Sequence, residues 1–188
     1  MATHNIRALA SNELSHITSV VSGCTAQLKE YSKLYPEQIA TGFAHRVDDV
    51  HRLLLDAPEL AGLRFEPLDQ TAVVHFPCTQ RNVLKETGAI VATLRLIPNL
   101  HVSVLDEQPA CCGAAGDYCI THAEQADELL DRVLRPLAGQ PPPILLTSNV
   151  GCALHLSAGF EERGWSVEVL HPLTLLARQL RDAPANLG

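Results

Sequence analysis

Two cysteines stand side by side at Cys111-Cys112 and run into Gly113-Ala114-Ala115-Gly116. Neighbouring thiols cannot readily bridge to each other, and both invite oxidation unless something binds them. Two more cysteines lie far off in sequence, Cys78 upstream and Cys152 downstream, each after a short apolar run. A set of Cys78, Cys111, Cys112 and Cys152 has the donor chemistry of an iron-sulfur cluster or of a tetrahedral zinc.

Other residues could join that chemistry. Cys24, in Ser22-Gly23-Cys24, reads either as a further ligand or as an auxiliary thiol. His155, three residues after Cys152, reads as a hydrogen-bond donor to a cluster sulfur, with metal ligand or surface residue as the alternatives. Cys119 lies outside the motif on the way into a helical stretch, where burial for packing is the ordinary role of a thiol. His75 and His122 flank the motifs and are expected to make local hydrogen bonds. Trp165 and the apolar positions Leu129, Leu130, Val133, Leu134 and Leu137 read as core.

The elements that must position these side chains alternate. Short β-branched or apolar runs over 17–21, 71–75, 100–104, 144–147 and 166–169 predict strands. Stretches with apolar residues at helical spacing over 25–35, 37–55, 80–96, 123–137, 153–163 and 173–181 predict helices. Such alternation implies right-handed crossovers, so the expected fold class is α/β, a mostly parallel sheet with helices on both faces. The carboxyl ends of such strands form the ligand crevice. Cys78 and Cys152 each follow a strand and precede a helix, whose N-terminus favours thiolate over thiol. Cys111-Cys112 follows the strand over 100–104, so all four thiols are expected at one edge.

Composition limits the alternatives. With 188 residues, of which 46% are hydrophobic, the chain can bury a sizeable core. A net charge of -7 with scattered Lys and Arg offers no basic stripe, so no nucleic-acid partner is expected, and an acidic protein partner would be repelled. No apolar run approaches the roughly 20 residues of a membrane-spanning helix, and Met1-Ala2-Thr3-His4 opens neither a basic nor an apolar leader. The expected location is the cytoplasm, with any membrane contact made peripherally through partners. There the thiols stay reduced and free to ligate. No GxGxxG, Walker lysine or Gly-x-Ser-x-Gly pattern occurs, so a flavin or nucleotide would belong to a partner.

An internal echo adds an organisational hint. Thr18-Ser19-Val20-Val21-Ser22-Gly23-Cys24 parallels Leu146-Thr147-Ser148-Asn149-Val150-Gly151-Cys152, with Gly-Cys aligned. The expected division is a repeat tail plus helical connector over 1–60 and a complete second repeat over 61–188. Pro58 to Gln70 is the boundary region, and Gln140-Pro141-Pro142-Pro143 is a connector.

The motifs His75-Phe76-Pro77-Cys78-Thr79, Cys111-Cys112-Gly113-Ala114-Ala115-Gly116-Asp117-Tyr118 with Thr121-His122, and Gly151-Cys152 with His155-Leu156 carry a resemblance. So does Ser22-Gly23-Cys24 with Lys29-Glu30-Tyr31. Together they resemble the cysteine-rich CCG domain of heterodisulfide reductase B subunits, lactate-utilisation iron-sulfur proteins and glycolate oxidase iron-sulfur subunits, the last most closely. The resemblance implies two CCG repeats after a ferredoxin-like region, of which only the carboxyl-terminal part is expected here. It implies an electron-transfer role between a flavoprotein 2-hydroxy-acid oxidase subunit, where FAD would sit, and a quinone acceptor. A separate ferredoxin-like chain would be a further partner. By this resemblance Cys78, Cys111, Cys112 and Cys152 hold a 4Fe-4S cluster, with zinc as the alternative. The family's fullest motif ends in Cys-x-x-Cys, whereas here Asn149 lies three before Cys152 and His155 three after. That departure weakens a heterodisulfide-reductase-like thiol chemistry; a zinc-bound structural module stays open beside the electron relay.

Overall fold

The computed structural model describes residues 2–9, 14–34, 38–105 and 111–181. The amino-terminal part is helical: α1 (Ala2–Leu9), α2 (Ser22–Lys29), α3 (Tyr31–Leu34), α4 (Gln38–His45) and α5 (Val50–Asp56). Ile6, Ile17, Tyr31, Phe43 and Val47 bury one another there, with the Tyr31 and Phe43 rings stacked at 5.8 Å.

The second part alternates strand and helix. β1 (Thr71–His75) leads through a π-helical turn, Gln80–Leu84, to α6 (Thr87–Leu94) and β2 (His101–Val104). After the short α7 (Tyr118–Thr121) come α8 (Ala123–Leu134), β3 (Ile144–Thr147), α9 (Val150–Glu162), β4 (Glu168–Leu170) and α10 (Pro172–Gln179). The strands form one all-parallel sheet in the order β2-β1-β3-β4. The fold is therefore α/β with helices on both faces, as the alternation predicts.

Strand periodicity assigns the two faces. Val73 and Leu145 point to a core completed by Leu130, Val133 and Leu134 of α8 and Leu156 and Phe160 of α9. Ala72, Val74, Ile144 and Leu146 point the other way, onto Ile90 and Leu94 of α6 and Leu175 and Leu176 of α10. All of β3 is buried, as its unbroken apolar run requires of a strand covered twice. Each such side chain contributes about 1.5–3 kcal/mol on leaving water.

Several expected elements differ in detail, among them the helix over 25–35, which divides into α2 and α3. The strand over 17–21 is reduced to an isolated parallel bridge, Ile17 to Val47. Side-chain hydroxyls take up backbone groups there instead: Thr18 Oγ1 donates to Asp48 O, Ser19 Oγ accepts from Val21 N, and Thr25 Oγ1 donates to Ser19 O. The helix over 37–55 breaks between α4 and α5, because Asp49 caps a new start by accepting from His51 N and Arg52 N. The helix over 80–96 breaks at Lys85, whose φ of 61° ends the π-helical turn. The last strand sits at Glu168–Leu170 rather than 166–169. Tyr35 and Glu37, ends of two expected helices, lie outside the described residues.

Candidate metal centre

From β1 the chain turns to α6 on one face of the sheet, and from β3 to α9 on the other. The carboxyl ends of β1 and β3 therefore flank the place where connections diverge, the crevice in which open α/β sheets bind ligands. The two ends are in register, His75 beside Thr147. Phe76 and Pro77 carry the chain from β1 to Cys78, at the entry to the π-helical turn, a distortion often found at functional sites. Asn149 caps α9 by accepting from Gly151 N and Cys152 N, and so places Cys152 in the first helical turn.

The third cysteine-bearing segment follows β2 in sequence and carries the adjacent pair. Gly113 has a φ of 88°, and a Cβ there would lie 2.6 Å from the Ala126 carbonyl oxygen. Only glycine lets the loop press onto α8 this way. A Cβ on Gly151 would meet the Ala114 carbonyl at 3.2 Å, so the start of α9 lies directly against the same loop.

These placements bring four expected thiols together. Cys112 and Cys152 are buried, with Sγ atoms at hydrogen-bonding distance, 2.9 Å apart. The shared bond, opposed by burial and aided by the Ala114 N–H, holds Cys112 down to about 7. Cys152 is pushed up by the same bond, by burial and by the charges of Cys112, Cys78 and Cys111. Cys78, at the solvent edge, is pushed up first by its partial burial and then by Cys111, with the Thr79 N–H acting against both. The charges of neighbouring cysteines thus oppose ionisation of Cys78 and Cys152, a conflict that a bound cation relieves.

That donor set fits a metal or cluster. Among the described residues no three His, Cys, Asp or Glu side chains already stand at coordinating spacing. Two thiolates on one tetrahedral zinc lie about 3.8 Å apart, so the Cys112 to Cys152 contact would open on binding.

The other expected residues stand apart. Cys24 is exposed on the first turn of α2, and neither it nor His155 is among the groups acting on Cys78, Cys112 and Cys152. His155 Nε2 lies 3.5 Å from the Ala126 carbonyl, the backbone that also abuts Gly113. Cys119 is partly buried on α7, and His122 stacks on Tyr118 at 4.7 Å and pairs with Thr121 Oγ1. His75 is buried beside Thr147 Oγ1 at 3.1 Å, and burial, then the charge of Arg81, pushes it down to about 4.

Sequence reasoning missed the polar residues beneath the thiols. Gln80, wholly buried, donates from Nε2 to Asp49 Oδ2 at 3.0 Å and to the Glu86 carbonyl at 3.3 Å, and its Oε1 accepts from Ser148 Oγ at 3.3 Å. Ser22 N donates to the Ser148 carbonyl at 2.9 Å, and Ser22 Oγ lies 3.1 Å from Thr79 Oγ1. Asn149 was legible as a capping residue ahead of an apolar run. Gln80 carried no comparable signal.

A parallel sheet whose switch point gathers cysteines from three loops defines a thiolate-rich binding domain of the α/β class. Residues 72–157 match the family described as "CCG: Cysteine-rich domain", and the chain carries a domain of that family. It is 32% identical over 149 residues to the glycolate oxidase iron-sulfur subunit of Escherichia coli (strain K12), covering 76% of this chain and 35% of the relative. It is 26% identical over 189 residues to a protein of Bacillus subtilis (strain 168) named probable glycolate oxidase iron-sulfur subunit, covering 94% of this chain and 41% of the relative. Lactate utilization protein A 2 of Bacillus cereus (strain Q1) is 20% identical over 113 residues, with 60% and 47% covered. The chain thus spans less than half the length of each of these relatives. Among the described residues no helix is long and apolar enough to cross a membrane.

Proposed function

We propose that this chain is the iron-sulfur electron-transfer subunit, or the carboxyl-terminal part of one, in a glycolate or related 2-hydroxy-acid oxidase complex. Electrons enter from a flavoprotein subunit that carries FAD and leave toward a quinone acceptor. The observation that carries this reading is the gathering of Cys78, Cys111, Cys112 and Cys152 at one sheet edge, in a chain similar to glycolate oxidase iron-sulfur subunits. These thiolates hold a 4Fe-4S cluster, which supplies a one-electron carrier when bound. The buried Cys112 and Cys152 keep water from one side, and the exposed Cys78 marks the side open to a partner. The Gly113 N–H, 3.5 Å from Cys111 Sγ, is a donor that would tune the potential.

Residues 1–60 serve as the tail of a first repeat with a helical connector, and 61–188 as a complete second repeat. The matching starts of α2 and α9, each two residues before its cysteine, support that division. The companion ferredoxin-like region sits elsewhere, and the complex works in the cytoplasm or at the inner membrane face through its partners.

Anaerobic purification tests the reading. The expected product is brown, with iron and acid-labile sulfide in comparable amounts and a paramagnetic resonance signal on reduction. A colourless protein holding stoichiometric zinc after reconstitution would replace the relay with a structural clamp.

A further inference from the structure

We infer that Gln80 is a positioning residue that ties the Cys78 loop to the Cys152 loop, and that Asp49 and Ser22 of the amino-terminal helical part complete this tie. The inference rests on the reading of the cysteine edge as a metal centre, which needs the thiols held in a fixed relation. Cys78 and Cys152 leave neighbouring strands toward opposite faces of the sheet, so beyond the paired strand ends at His75 and Thr147 their loops need a further tie.

Gln80 bridges them from below. It lies two residues after Cys78, and its Oε1 accepts from Ser148 Oγ, four residues before Cys152. The amide is orientated by Asp49, whose Oδ2 can only accept and so requires Nε2 to face it. Oδ1 of the same carboxylate caps α5. A second strap runs above: Thr79 Oγ1 to Ser22 Oγ, and Ser22 N to the Ser148 carbonyl. Thus Thr79 and Gln80 on one loop and Ser148 on the other are clamped with the help of the Asp49 carboxylate and of the side chain and backbone N–H of Ser22. All of these groups except Thr79 are buried, where an unmade hydrogen bond costs more than a solvent-facing one. Burial of a flexible glutamine at zero exposure would be wasteful for packing alone.

The reversed pair distinguishes positioning from bulk. Gln80→Glu alone sets two carboxylates against each other. Combined with Asp49→Asn, it restores the bond to position 49 with donor and acceptor exchanged, though not the one to the Glu86 carbonyl, keeps one carboxylate in the pair and leaves an oxygen to cap α5.

The experiment treats the reduced, metal-free full chain with dibromobimane, a short bifunctional thiol reagent, and maps bridged peptides by mass spectrometry. The readout is the ratio of the Cys78 to Cys152 bridge over the Cys112 to Cys152 bridge, so that global unfolding, which loses both, is separated from loop release. Gln80→Leu and Gln80→Glu are expected to lower the ratio about fivefold or more, the equivalent of one lost hydrogen bond. The double variant is expected to restore it to within about twofold of wild type. If Gln80→Leu loses both bridges, the decision passes to Gln80→Glu against the double variant. An unchanged ratio in a folded Gln80 variant, or no recovery in the double variant, overturns the role. Iron content of the reconstituted wild type is read in parallel. No iron with a falling ratio removes the metal centre and keeps the tie; iron with an unchanged ratio does the reverse.

Discussion

The two Gly-Cys segments that echo each other in sequence adopt the same local structure and different environments. α2 begins at Ser22 and α9 at Val150, so Cys24 and Cys152 occupy the same position in their helices. Cys152 is 7% exposed against Cys112, whereas Cys24 is exposed. Val21, the residue before α2, makes no side-chain cap, and only an isolated bridge precedes it. Asn149 caps α9, and β3 precedes it. Local sequence therefore sets where a helix starts, and neighbouring loops decide whether its thiol belongs to a site.

The strongest way to break the comparison is to remove, in separate variants, the sulfur that faces Cys152 and the sulfur of Cys24. Cys112→Ser, which deprives Cys152 of its neighbour, is expected to lower retained iron after anaerobic reconstitution to about a tenth or less of wild type. Cys24→Ser and Cys119→Ser are expected to retain it. Iron retained in full by Cys112→Ser would place the centre elsewhere, and iron lost from Cys24→Ser would bring the first segment into it.

The glycines give the next largest contrast. Gly113→Ala forces a side chain to a φ of 88° and toward backbone atoms of Ala126, so the expected loss is about 2–4 kcal/mol in urea unfolding. Gly23→Ala would press only on the Asn149 amide, 2.8 Å away, at helical φ. That neighbour can shift at some expense to its cap, about 1 kcal/mol. Equal losses for the two variants would mean that the Gly113 loop moves as freely as a side chain.

Buried histidines compare the two parts by pH. His75 in the sheet and His51 in α5 are both pushed down to about 4, mainly by burial. Asp49 acts against that shift at His51 and His171 adds to it. His51 donates from Nδ1 to Thr93 Oγ1, whose own proton goes to the Ile90 carbonyl. Nε2 has no partner among the described residues, so a proton there would be a buried, unaccepted charge. Below the unfolded value of about 6.5 the unfolded chain binds protons that the folded one refuses. Stability is therefore complete above that pH and falls as pH drops toward 4. Each histidine contributes a loss on the order of 2 kcal/mol between pH 7 and 5. Urea unfolding of the metal-free chain at both values measures it, and His51→Gln is expected to remove its share.

The legible and the hidden parts of this molecule divide along one physical line. β1 and β3 were readable because a strand buried on both faces must be an unbroken apolar run, and the convergence of Cys78 and Cys152 followed from strand direction alone. The strand expected over 17–21 failed because hydroxyl side chains competed for its backbone, a choice made by partners such as Asp48 that lie far along the chain. His155, expected to address a sulfur, faces the Ala126 carbonyl because α8 packs beside α9. Gln80 looked like any polar residue at a helix start. Its meaning lies in Asp49 and Ser148, which no local window contains.

The finest test exchanges the caps. Asn149→Ala removes the acceptor for Gly151 N and Cys152 N and is expected to cost about 1 kcal/mol, read as a lower urea midpoint at unchanged slope. Val21 has the extended backbone of a capping residue, with φ -95° and ψ 113°, and lacks only the oxygen. Val21→Asn is therefore expected to stabilise by about 0.5–1 kcal/mol, less whatever apolar contact the partly buried valine gives up. Iron content should not rise in this variant, because Cys24 is exposed and a better start to α2 leaves it so. Stabilisation without added iron would show that the cap and the site are separate properties of the repeated segment. Added iron, abolished by Cys24→Ser, would show instead that helix order alone had kept the first thiol out.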